Sequence, residues 1–245
     1  MTAVAVSWHR AQVAGVHAET GWARRIELEI PDWPGNEAGA HLDIRLTAED
    51  GYQASRSYSI ASSGAGTRVL LVVDELPDGE VSPYLVQTLA VGDELEVHGP
   101  LGRFFVWRPP AESSATLAPV QLIAGGSGVV PLFAMATAHE LAGDATAFRL
   151  LYAVRSPDDA FFSRELGELA LTRVDTVYSR ATPPGAARPA GRLTPELLGE
   201  LAFGADVGPR IFVCGPNRFV EAVTGWLLEL GHAPGAVRTE RFGGA

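Results

Sequence analysis

The hydrophobic pattern of this chain changes once, across residues 108–119. That stretch, RPPAESSATLAP, has three prolines and small polar residues, a composition typical of a linker. Before it, six short β-rich runs alternate with turn signals, as in an antiparallel barrel or sandwich. After it, strand-like and helical runs alternate, which indicates βαβ units and a parallel sheet. The sequence therefore predicts two domains: an antiparallel six-stranded β-barrel over 1–112 and an α/β domain with a five-stranded parallel sheet over 113–245.

The individual elements follow from the same patterns. In the first domain the predicted strands are 13–17, 24–30, 41–46, 56–60, 68–73 and 94–98. A helix is predicted over 82–90, with Ser82 as its N-cap and Pro83 in its first turn. In the second domain the predicted strands are 120–124, 149–154, 173–178, 211–214 and 237–242, and the predicted helices are 130–141, 160–170, 195–202 and 218–230. Thr194 is the expected N-cap of the helix that begins at Pro195.

Charge and cysteine content exclude several classes of protein. The 245 residues carry a formal net charge of −10, which argues against nucleic-acid binding. The single cysteine, Cys214, can neither form an internal disulfide nor hold an iron–sulfur cluster alone. The six histidines show no paired spacing, so no metal site is expected. The first residues resemble neither a signal peptide nor a membrane span, so we expect a cytoplasmic protein.

A glycine-rich turn opens the second domain. In LIAGGSGVVP, residues 122–131, an apolar strand leads through Gly125, Gly126, Ser127 and Gly128 into a helix. Glycines let the backbone approach a pyrophosphate, and a helix N-terminus offers free N–H groups. Pro131 stands where the usual dinucleotide fingerprint has its third glycine. The segment predicts a dinucleotide site, with an ordinary tight turn as the alternative.

The next two strands of this domain end in arginines. Arg155 follows the second strand, and Ser179 and Arg180 follow the third. An acidic residue at such a position would bind a ribose hydroxyl, whereas arginine suits a 2′-phosphate. These residues favour NADPH, unless they are solvated loop residues.

A polar segment in the first domain combines a cation, an aromatic ring and hydroxyls. Arg56, Ser57, Tyr58 and Ser59 follow one another on a predicted strand, with Arg56 and Tyr58 on one face. A guanidinium suits a phosphate and an aromatic ring suits a flavin face. An ordinary half-buried strand is the alternative.

Two further segments lie at the ends of predicted elements. In residues 78–85 a turn leads into a helix, whose first amides and Ser82 hydroxyl could hold a second phosphate or simply cap the helix. Cys214, Gly215 and Pro216 end a parallel strand, where ligand crevices form in α/β sheets. A lone cysteine there is either a small buried hydrophobe or an active-site contact.

Taken in order, these motifs resemble the ferredoxin–NADP reductase superfamily, over essentially the whole chain. The matching segments are Arg56-Ser57-Tyr58-Ser59, Gly79-Glu80-Val81-Ser82, residues 125–131, Cys214-Gly215-Pro216 and Glu240-Arg241-Phe242. The chain is similar to the reductase module of oxygenase electron-transfer proteins, without their iron–sulfur domain.

The resemblance implies a flavin site in the barrel. In it Arg56 and Ser57 belong to the flavin-binding strand, and Arg56 binds the flavin phosphate. Tyr58 packs against the isoalloxazine and ribityl, and Ser59 hydrogen-bonds near flavin N5. Residues 79–82 bind the pyrophosphate, which implies FAD rather than FMN.

The resemblance also implies a nicotinamide site in the α/β domain. Gly126, Ser127 and Gly128 meet the nucleotide pyrophosphate, and Ser179 and Arg180 hold the 2′-phosphate of NADPH. At the strand ends, Cys214 lies beside the nicotinamide, Glu240 sits at the catalytic centre and Phe242 comes near the flavin ring. The chain ending is closer to that of oxygenase reductases, many of which use NADH, so NADH stays possible.

The implied activity is hydride transfer from a nicotinamide dinucleotide to FAD, followed by electron delivery to a separate ferredoxin or oxygenase component. With one cysteine, we expect a stand-alone reductase without an iron–sulfur cluster. We also expect a monomer. The alternatives are a flavin or quinone reductase with diffusible acceptors, a non-catalytic electron-transfer subunit of a larger dehydrogenase, and a flavin-binding sensor.

Overall fold

The computed structural model describes residues 7–110, 118–143 and 145–242. The chain divides into two compact units, Met1–Trp107 and Arg108–Ala245. The predicted domain boundary after residue 112 lies in 111–117, outside the described residues.

The first unit is built from one antiparallel sheet of six strands that curls into a half-barrel. Its order is β4-β3-β6-β1-β2-β5, and an isolated bridge between Ile60 and Leu71 links the end of β4 to β5. The sequence-based prediction of a six-stranded antiparallel sheet is confirmed. The strands are β1 Ser7–Ala18, β2 Ala23–Glu29, β3 His41–Thr47, β4 Gln53–Ser59, β5 Arg68–Asp74 and β6 Glu94–Leu101.

The core of this unit comes from alternating side chains on the strands. Ile26 and Leu28 on β2, and Leu42 and Ile44 on β3, are fully buried because successive side chains point to opposite faces. Leu85 of helix α1, Ser82–Gln87, packs into the same core. The helix is held by this apolar contact, since a helix of six residues is not stable alone.

Ser82 is not the cap of α1, contrary to the sequence-based expectation. The N-cap is Val81, and Ser82 is the first helical residue. The turn closed by the Gly79 N–H on the Leu76 carbonyl, at 2.8 Å, folds the chain back. The Ser82 hydroxyl therefore accepts the Leu76 N–H at 3.0 Å and is engaged before the helix begins.

The second unit is a five-stranded parallel sheet, as predicted. Its order is β11-β10-β7-β8-β9, with every pair parallel. The chain runs outward from β7 through β8 and β9 and then returns to β10 on the other side of β7. The sheet thus has a topological switch point between β7 and β10, the place where open α/β sheets bind ligands. The strands are β7 Val120–Gly125, β8 Phe148–Val154, β9 Thr172–Tyr178, β10 Arg210–Pro216 and β11 Val237–Phe242.

In the described part of this unit, four α-helices accompany the sheet: α2 Val129–Ala142, α3 Ser163–Glu168, α4 Pro195–Leu201 and α5 Asn217–Glu229. The Thr194 hydroxyl accepts the Leu197 N–H at 3.3 Å, which confirms the predicted N-cap of α4. Helix α3 starts later than predicted because Phe162 has a φ of 55° and stacks on Phe133, with ring centroids 3.9 Å apart. Phe162 is thus the N-cap residue of α3, in left-handed backbone, and the helix begins at Ser163.

In the described parts of the chain, no helix is both long and apolar enough to cross a membrane. The same residues contain no group of three or more His, Cys, Asp or Glu side chains placed to hold a metal ion.

Candidate functional site

The two segments predicted to bind flavin phosphate meet in the first unit. Arg56 on β4 donates from Nη2 to Oε2 of Glu80, which lies just before α1. Its Nη1 donates to the Ser55 carbonyl at 2.8 Å. The other Glu80 oxygen, Oε1, accepts the Tyr52 hydroxyl at 2.6 Å. Strand β4 and the start of α1 are therefore joined by a three-residue polar contact.

This contact keeps Glu80 ionised. The Tyr52 hydroxyl, and then Arg56, bond to the carboxylate and lower the pKa of Glu80. The same hydrogen bond raises the pKa of Tyr52. An ionised Tyr52 could no longer donate this bond and would be repelled by the Glu80 carboxylate. The negatively charged Glu80 carboxylate therefore contacts the Arg56 guanidinium, which was predicted to bind a flavin phosphate.

The other residues of the Gly79–Ser82 motif have structural roles. A Cβ on Gly79 would lie 2.9 Å from the Leu76 carbonyl oxygen, so the turn requires glycine. Val81 is fully buried in the barrel core, and Ser82 bonds to Leu76. This motif can contact a ligand through its backbone and through Glu80. Beside it lies a cavity of about 520 Å³, whose lining includes Tyr52, Glu80 and Tyr84.

The other predicted flavin contacts lie further along β4. Ser57 donates to Asp43 on β3 at 2.5 Å, so its hydroxyl already has an acceptor. Tyr58 packs against the barrel core, and burial raises the pKa of its phenol, which stays neutral. Ser59 is 6% exposed, and its buried Oγ has no hydrogen-bond partner among the described residues.

The Ser59 hydroxyl tests whether this strand fits a flavin. A buried polar group without a partner costs free energy, so such groups are rare without a reason. A hydroxyl can both donate and accept, which suits the ring nitrogens and oxygens of an isoalloxazine. The strand that carries Tyr58 and Ser59 therefore fits the implied cofactor.

The glycine-rich turn of the second unit contains glycines of two kinds. Gly126 has a φ of 54°, and an added Cβ would meet no atom within 4 Å. In contrast, a Cβ on Gly125 would lie 2.6 Å from the Phe219 ring, and one on Gly128 would lie 2.3 Å from the Cys214 carbonyl oxygen. Gly125 and Gly128 are thus needed for close packing, and Gly126 leaves open space above its backbone.

The space over Gly126 lies at the start of α2. Ser127 is partly exposed in the 3-10 turn Gly126–Gly128, and Pro131 is buried in the first turn of α2. No side chain caps this end of α2 among the described residues, and its first turn carries no acidic residue. Uncapped amides at a helix N-terminus and an open glycine fit the pyrophosphate of a dinucleotide.

Cys214 and Glu240 are neighbours at the carboxyl edge of the sheet, paired in the parallel register of β10 and β11. Burial, and then the nearby Glu240 charge, raise the pKa of the Cys214 thiol, which stays protonated. Burial raises the pKa of Glu240 to about 7. The edge therefore holds a neutral thiol beside a carboxyl group that exchanges its proton near neutral pH.

The residues around this pair complete the edge. Gly215 lies under Phe219, since a Cβ on Gly215 would lie 2.9 Å from that ring. Pro216 is exposed and is the N-cap residue of α5. Phe242 is partly buried at the end of β11, in register with Pro216.

The predicted 2′-phosphate residues come together at the ends of β8 and β9. The Ser179 N–H donates to the Val154 carbonyl and the Arg180 N–H donates to the Arg155 carbonyl, each at 2.8 Å. Arg155 and Arg180 are both exposed. Two exposed arginines thus follow the carboxyl ends of β8 and β9, and strand β8 pairs with β7, which leads into the glycine-rich turn.

Two residues at these sites were missed from the sequence. Tyr52 carries a signal, because an aromatic residue in the turn before a polar strand suggests a ligand or a polar partner. Phe219 carries none that could be found locally. Its ring covers Gly125 and Gly215, and those two glycines come from different strands.

Comparison with known proteins gives two domain matches. Residues 24–106 match the oxidoreductase FAD-binding domain, and residues 122–225 match the oxidoreductase NAD-binding domain. A ferredoxin–NADP reductase B from Sorangium cellulosum is 32% identical over 244 residues, covering 95% of this chain and 96% of that protein.

Relatives from oxygenase systems are similar as well. The 2-halobenzoate 1,2-dioxygenase electron transfer component of Burkholderia cepacia is 31% identical over 195 residues, covering 77% of this chain and 53% of that protein. The chain thus spans about half the length of that component. The structure of a cytochrome P450 reductase from Amycolatopsis matches with a TM-score of 0.83 and 27% identity, covering 97% of this chain and 70% of that one.

The two matched domains occur in the order that the motifs predicted, and they fall within the half-barrel unit and the parallel-sheet unit respectively. The relative from S. cellulosum exceeds 30% identity across nearly its whole length. The chain therefore belongs to the ferredoxin–NADP reductase family of NAD(P)H-dependent flavoprotein oxidoreductases.

Proposed function

We propose that this chain transfers a hydride from NADPH or NADH to bound FAD and delivers the electrons to a separate protein carrier, such as a ferredoxin or an oxygenase component. FAD supplies the chemistry that converts a two-electron donation into single-electron release. One observation carries the proposal: the open Gly126 turn lies at the same switch point where β10 ends beside Glu240. A nucleotide site and a proton-exchanging carboxyl group thus share one sheet edge.

The two domains divide this work. Residues 1–112 hold FAD and residues 113–245 hold the nicotinamide nucleotide. The half-barrel supports the first assignment with the Arg56 strand and the partnerless Ser59 hydroxyl. The parallel sheet supports the second assignment with its switch point between β7 and β10.

In the first domain, Arg56 binds a flavin phosphate, and the backbone of residues 79–82 contacts the pyrophosphate. A guanidinium offers parallel donors that match phosphate oxygens. Tyr58 packs against the isoalloxazine as a neutral phenol, and Ser59 hydrogen-bonds the ring near N5. Ser57 supports the strand through its bond to Asp43.

In the second domain, the turn at Gly126, Ser127 and Gly128 binds the nucleotide pyrophosphate. Arg155 and Arg180 attract the 2′-phosphate of NADPH, and Ser179 adds a hydroxyl at the same edge. This pair of cations favours NADPH over NADH, because NADH lacks the phosphate that they would neutralise.

At the strand ends, Cys214 offers a small neutral surface for the nicotinamide ring. Glu240 holds or releases a proton beside it, since its pKa of about 7 allows both forms near neutral pH. In this proposal Phe242, at the end of β11, comes near the flavin ring. These residues position the reactants and exclude water, while the cofactors carry out the hydride transfer.

The acceptor is a protein rather than a small molecule in this proposal. Two relatives support this choice: an electron transfer component of a dioxygenase and a cytochrome P450 reductase. We propose that the reductase acts as a monomer towards this partner.

The test is an anaerobic rapid-mixing experiment with the FAD-loaded protein. NADPH and NADH are mixed separately with the protein, and loss of flavin absorbance is followed at increasing nucleotide concentration. We expect bleaching by both nucleotides, with saturation at lower NADPH concentration. A second mixing step then adds a ferredoxin, free FMN or a quinone to the reduced protein.

Fast reoxidation by the ferredoxin, with slow reoxidation by FMN and quinone, supports the protein acceptor. Fast reoxidation by FMN or quinone alone would replace it with a diffusible acceptor. A protein that takes up no FAD, or whose FAD is not bleached by either nucleotide, would contradict the whole proposal.

A further inference from the structure

The guanidinium of Arg56 is already bonded to an anion that belongs to the protein itself. Arg56 donates to the Glu80 carboxylate, and carboxylate and phosphate accept the parallel N–H donors of a guanidinium in the same way. Glu80 therefore occupies the position at which a flavin phosphate would meet Arg56.

A second contact holds Glu80 in this position. Tyr52 donates to the other carboxylate oxygen at 2.6 Å, so both oxygens of Glu80 are engaged. The contact joins three separate segments: the turn before β4, β4 itself and the residues before α1. Glu80 is fixed from two sides and does not merely lie near Arg56.

The contact is nevertheless able to open. The side chains of Arg56 and Glu80 are 52% and 44% exposed, and Tyr52 is 57% exposed. Exposed ion pairs contribute little free energy, because water solvates the separated charges well. Glu80 also lines the cavity of about 520 Å³, which leaves room for its carboxylate to move away.

The segment that carries Glu80 is acidic in sequence. Residues 74–80, DELPDGE, contain four carboxylates and no lysine or arginine, and Glu80 is the one that contacts Arg56. The Glu75 carboxylate accepts a bond from Gln87, so it is turned towards α1. A phosphate approaching Arg56 must either displace Glu80 or lie beside it, and two adjacent anions repel each other.

We propose that Glu80 is an internal competitor of the flavin phosphate for Arg56. The Arg56–Glu80 pair opens when FAD binds, and Tyr52 stabilises the closed form. Glu80 thus weakens FAD binding and makes the flavin more exchangeable. This inference rests on the proposed role of Arg56 as a phosphate ligand.

The test is a double-mutant cycle on FAD affinity with the full-length chain. The dissociation constant of FAD is measured by calorimetry for the unmodified protein, Glu80→Gln, Arg56→Gln and the double variant. Glu80→Gln keeps the size of the side chain and removes its charge. We expect it to bind FAD about fivefold more tightly, a gain at the upper end for an exposed ion pair.

In the Arg56→Gln background, Glu80→Gln should change FAD affinity by less than about twofold, since there is no cation left to compete for. Tyr52→Phe removes the hydrogen bond that Tyr52 donates to Glu80, and it should increase FAD affinity about twofold. Riboflavin, which has the same ring and no phosphate, should bind Glu80→Gln and the unmodified protein equally. Glu49→Gln, which removes an exposed charge from the β3–β4 turn, is the matched control and should leave FAD affinity unchanged.

The outcomes separate the inference from the proposed function. If Arg56→Gln weakens FAD but Glu80→Gln weakens it too or leaves it unchanged, Glu80 does not compete and the inference is overturned. If Arg56→Gln leaves FAD affinity unchanged, Arg56 is not a phosphate ligand. The proposed role of Arg56 and the competition by Glu80 are then both wrong. If Glu80→Gln increases FAD affinity equally with Arg56 and with Gln at position 56, the effect is one of general charge. That result would also contradict the competition for Arg56. Circular dichroism of each variant verifies that the barrel is folded.

Discussion

Cys214 on β10 lies directly opposite Glu240 on β11, in the parallel register at the carboxyl edge of the sheet. The pairing places a charge that appears near pH 7 beside a buried thiol, and that charge contributes to raising the thiol pKa. Ionisation of Glu240 therefore changes the electrostatics of the strand end and the stability of the fold together.

The first prediction concerns the pH dependence of stability. Burial raises the pKa of Glu240 to about 7 in the folded protein, above its ordinary value of 4.5. The folded state thus binds more protons than the unfolded state between these values, so this group's contribution is present below about pH 4.5 and is lost as pH rises to 7. Glu240→Gln should remove this loss. The free energy of unfolding of the variant, relative to that of the unmodified protein, should therefore be about 1–3 kcal/mol higher at pH 8 than at pH 5.

Urea unfolding of Glu240→Gln and of the unmodified protein at pH 5 and pH 8 measures this difference. Glu229→Gln, at an exposed position at the end of α5, is the control for removing one carboxylate from the same unit. Parallel stability curves for Glu240→Gln and the unmodified protein would show that burial does not raise the pKa of Glu240.

The second prediction concerns nucleotide selectivity. Arg180→Ala should lower kcat/KM for NADPH about tenfold or more and leave the value for NADH nearly unchanged, since a charge-assisted bond to phosphate contributes about 1.5–3 kcal/mol. Steady-state kinetics with both nucleotides tests this. Arg164→Ala, which removes an exposed arginine from α3, is the matched control. An equal loss with both nucleotides would show that Arg180 does not recognise the 2′-phosphate.

The third prediction separates the two kinds of glycine in the turn. Gly125→Ala should destabilise the protein by about 1–3 kcal/mol, because its methyl group would overlap the Phe219 ring. Combining it with Phe219→Ala should recover part of this loss as a coupling energy. Gly126→Ala meets no atom, so its stability cost is limited to about 1–2 kcal/mol from the positive φ, while the KM for the nucleotide should rise.

Thermal unfolding and nucleotide titration of the single and double variants give both quantities. If Gly125→Ala and Phe219→Ala act additively, the ring does not enforce the glycine. A Gly126→Ala protein with unchanged KM would place the nucleotide elsewhere.

The fourth prediction uses the partnerless hydroxyl of Ser59. Without FAD, Ser59→Ala should stabilise the protein by about 1 kcal/mol, since a buried unsatisfied group is removed. With FAD bound, the same change should weaken flavin affinity, so the two effects have opposite signs. Ser57→Ala, whose hydroxyl is bonded to Asp43, should destabilise both forms. Melting temperatures with and without FAD distinguish these cases, and a loss of stability in flavin-free Ser59→Ala would mean that the hydroxyl has a partner after all.

Most of the fold could be predicted from the sequence because its signals are local. The alternation of Ile26 and Leu28 on β2 and of Leu42 and Ile44 on β3 reports a strand with one buried face. The change to strand–helix alternation after residue 119 reports a parallel sheet in the same way. The expected cap at Ser82 failed because its hydroxyl is used by the Leu76 N–H, and no pattern within the helix reports that turn.

The site divides along the same line. Residue types and their order along the chain were enough to single out Arg56, Ser59, Cys214 and Glu240 as candidates, because the chemistry of a guanidinium, a hydroxyl, a thiol or a carboxyl group belongs to the residue itself. Their states were decided by contacts between distant segments. Arg56 meets Glu80 across 24 positions, and Phe219 covers glycines from two strands. Burial raises the pKa of Glu240, because desolvation and charge depend on what surrounds a group in space, which only tertiary packing determines.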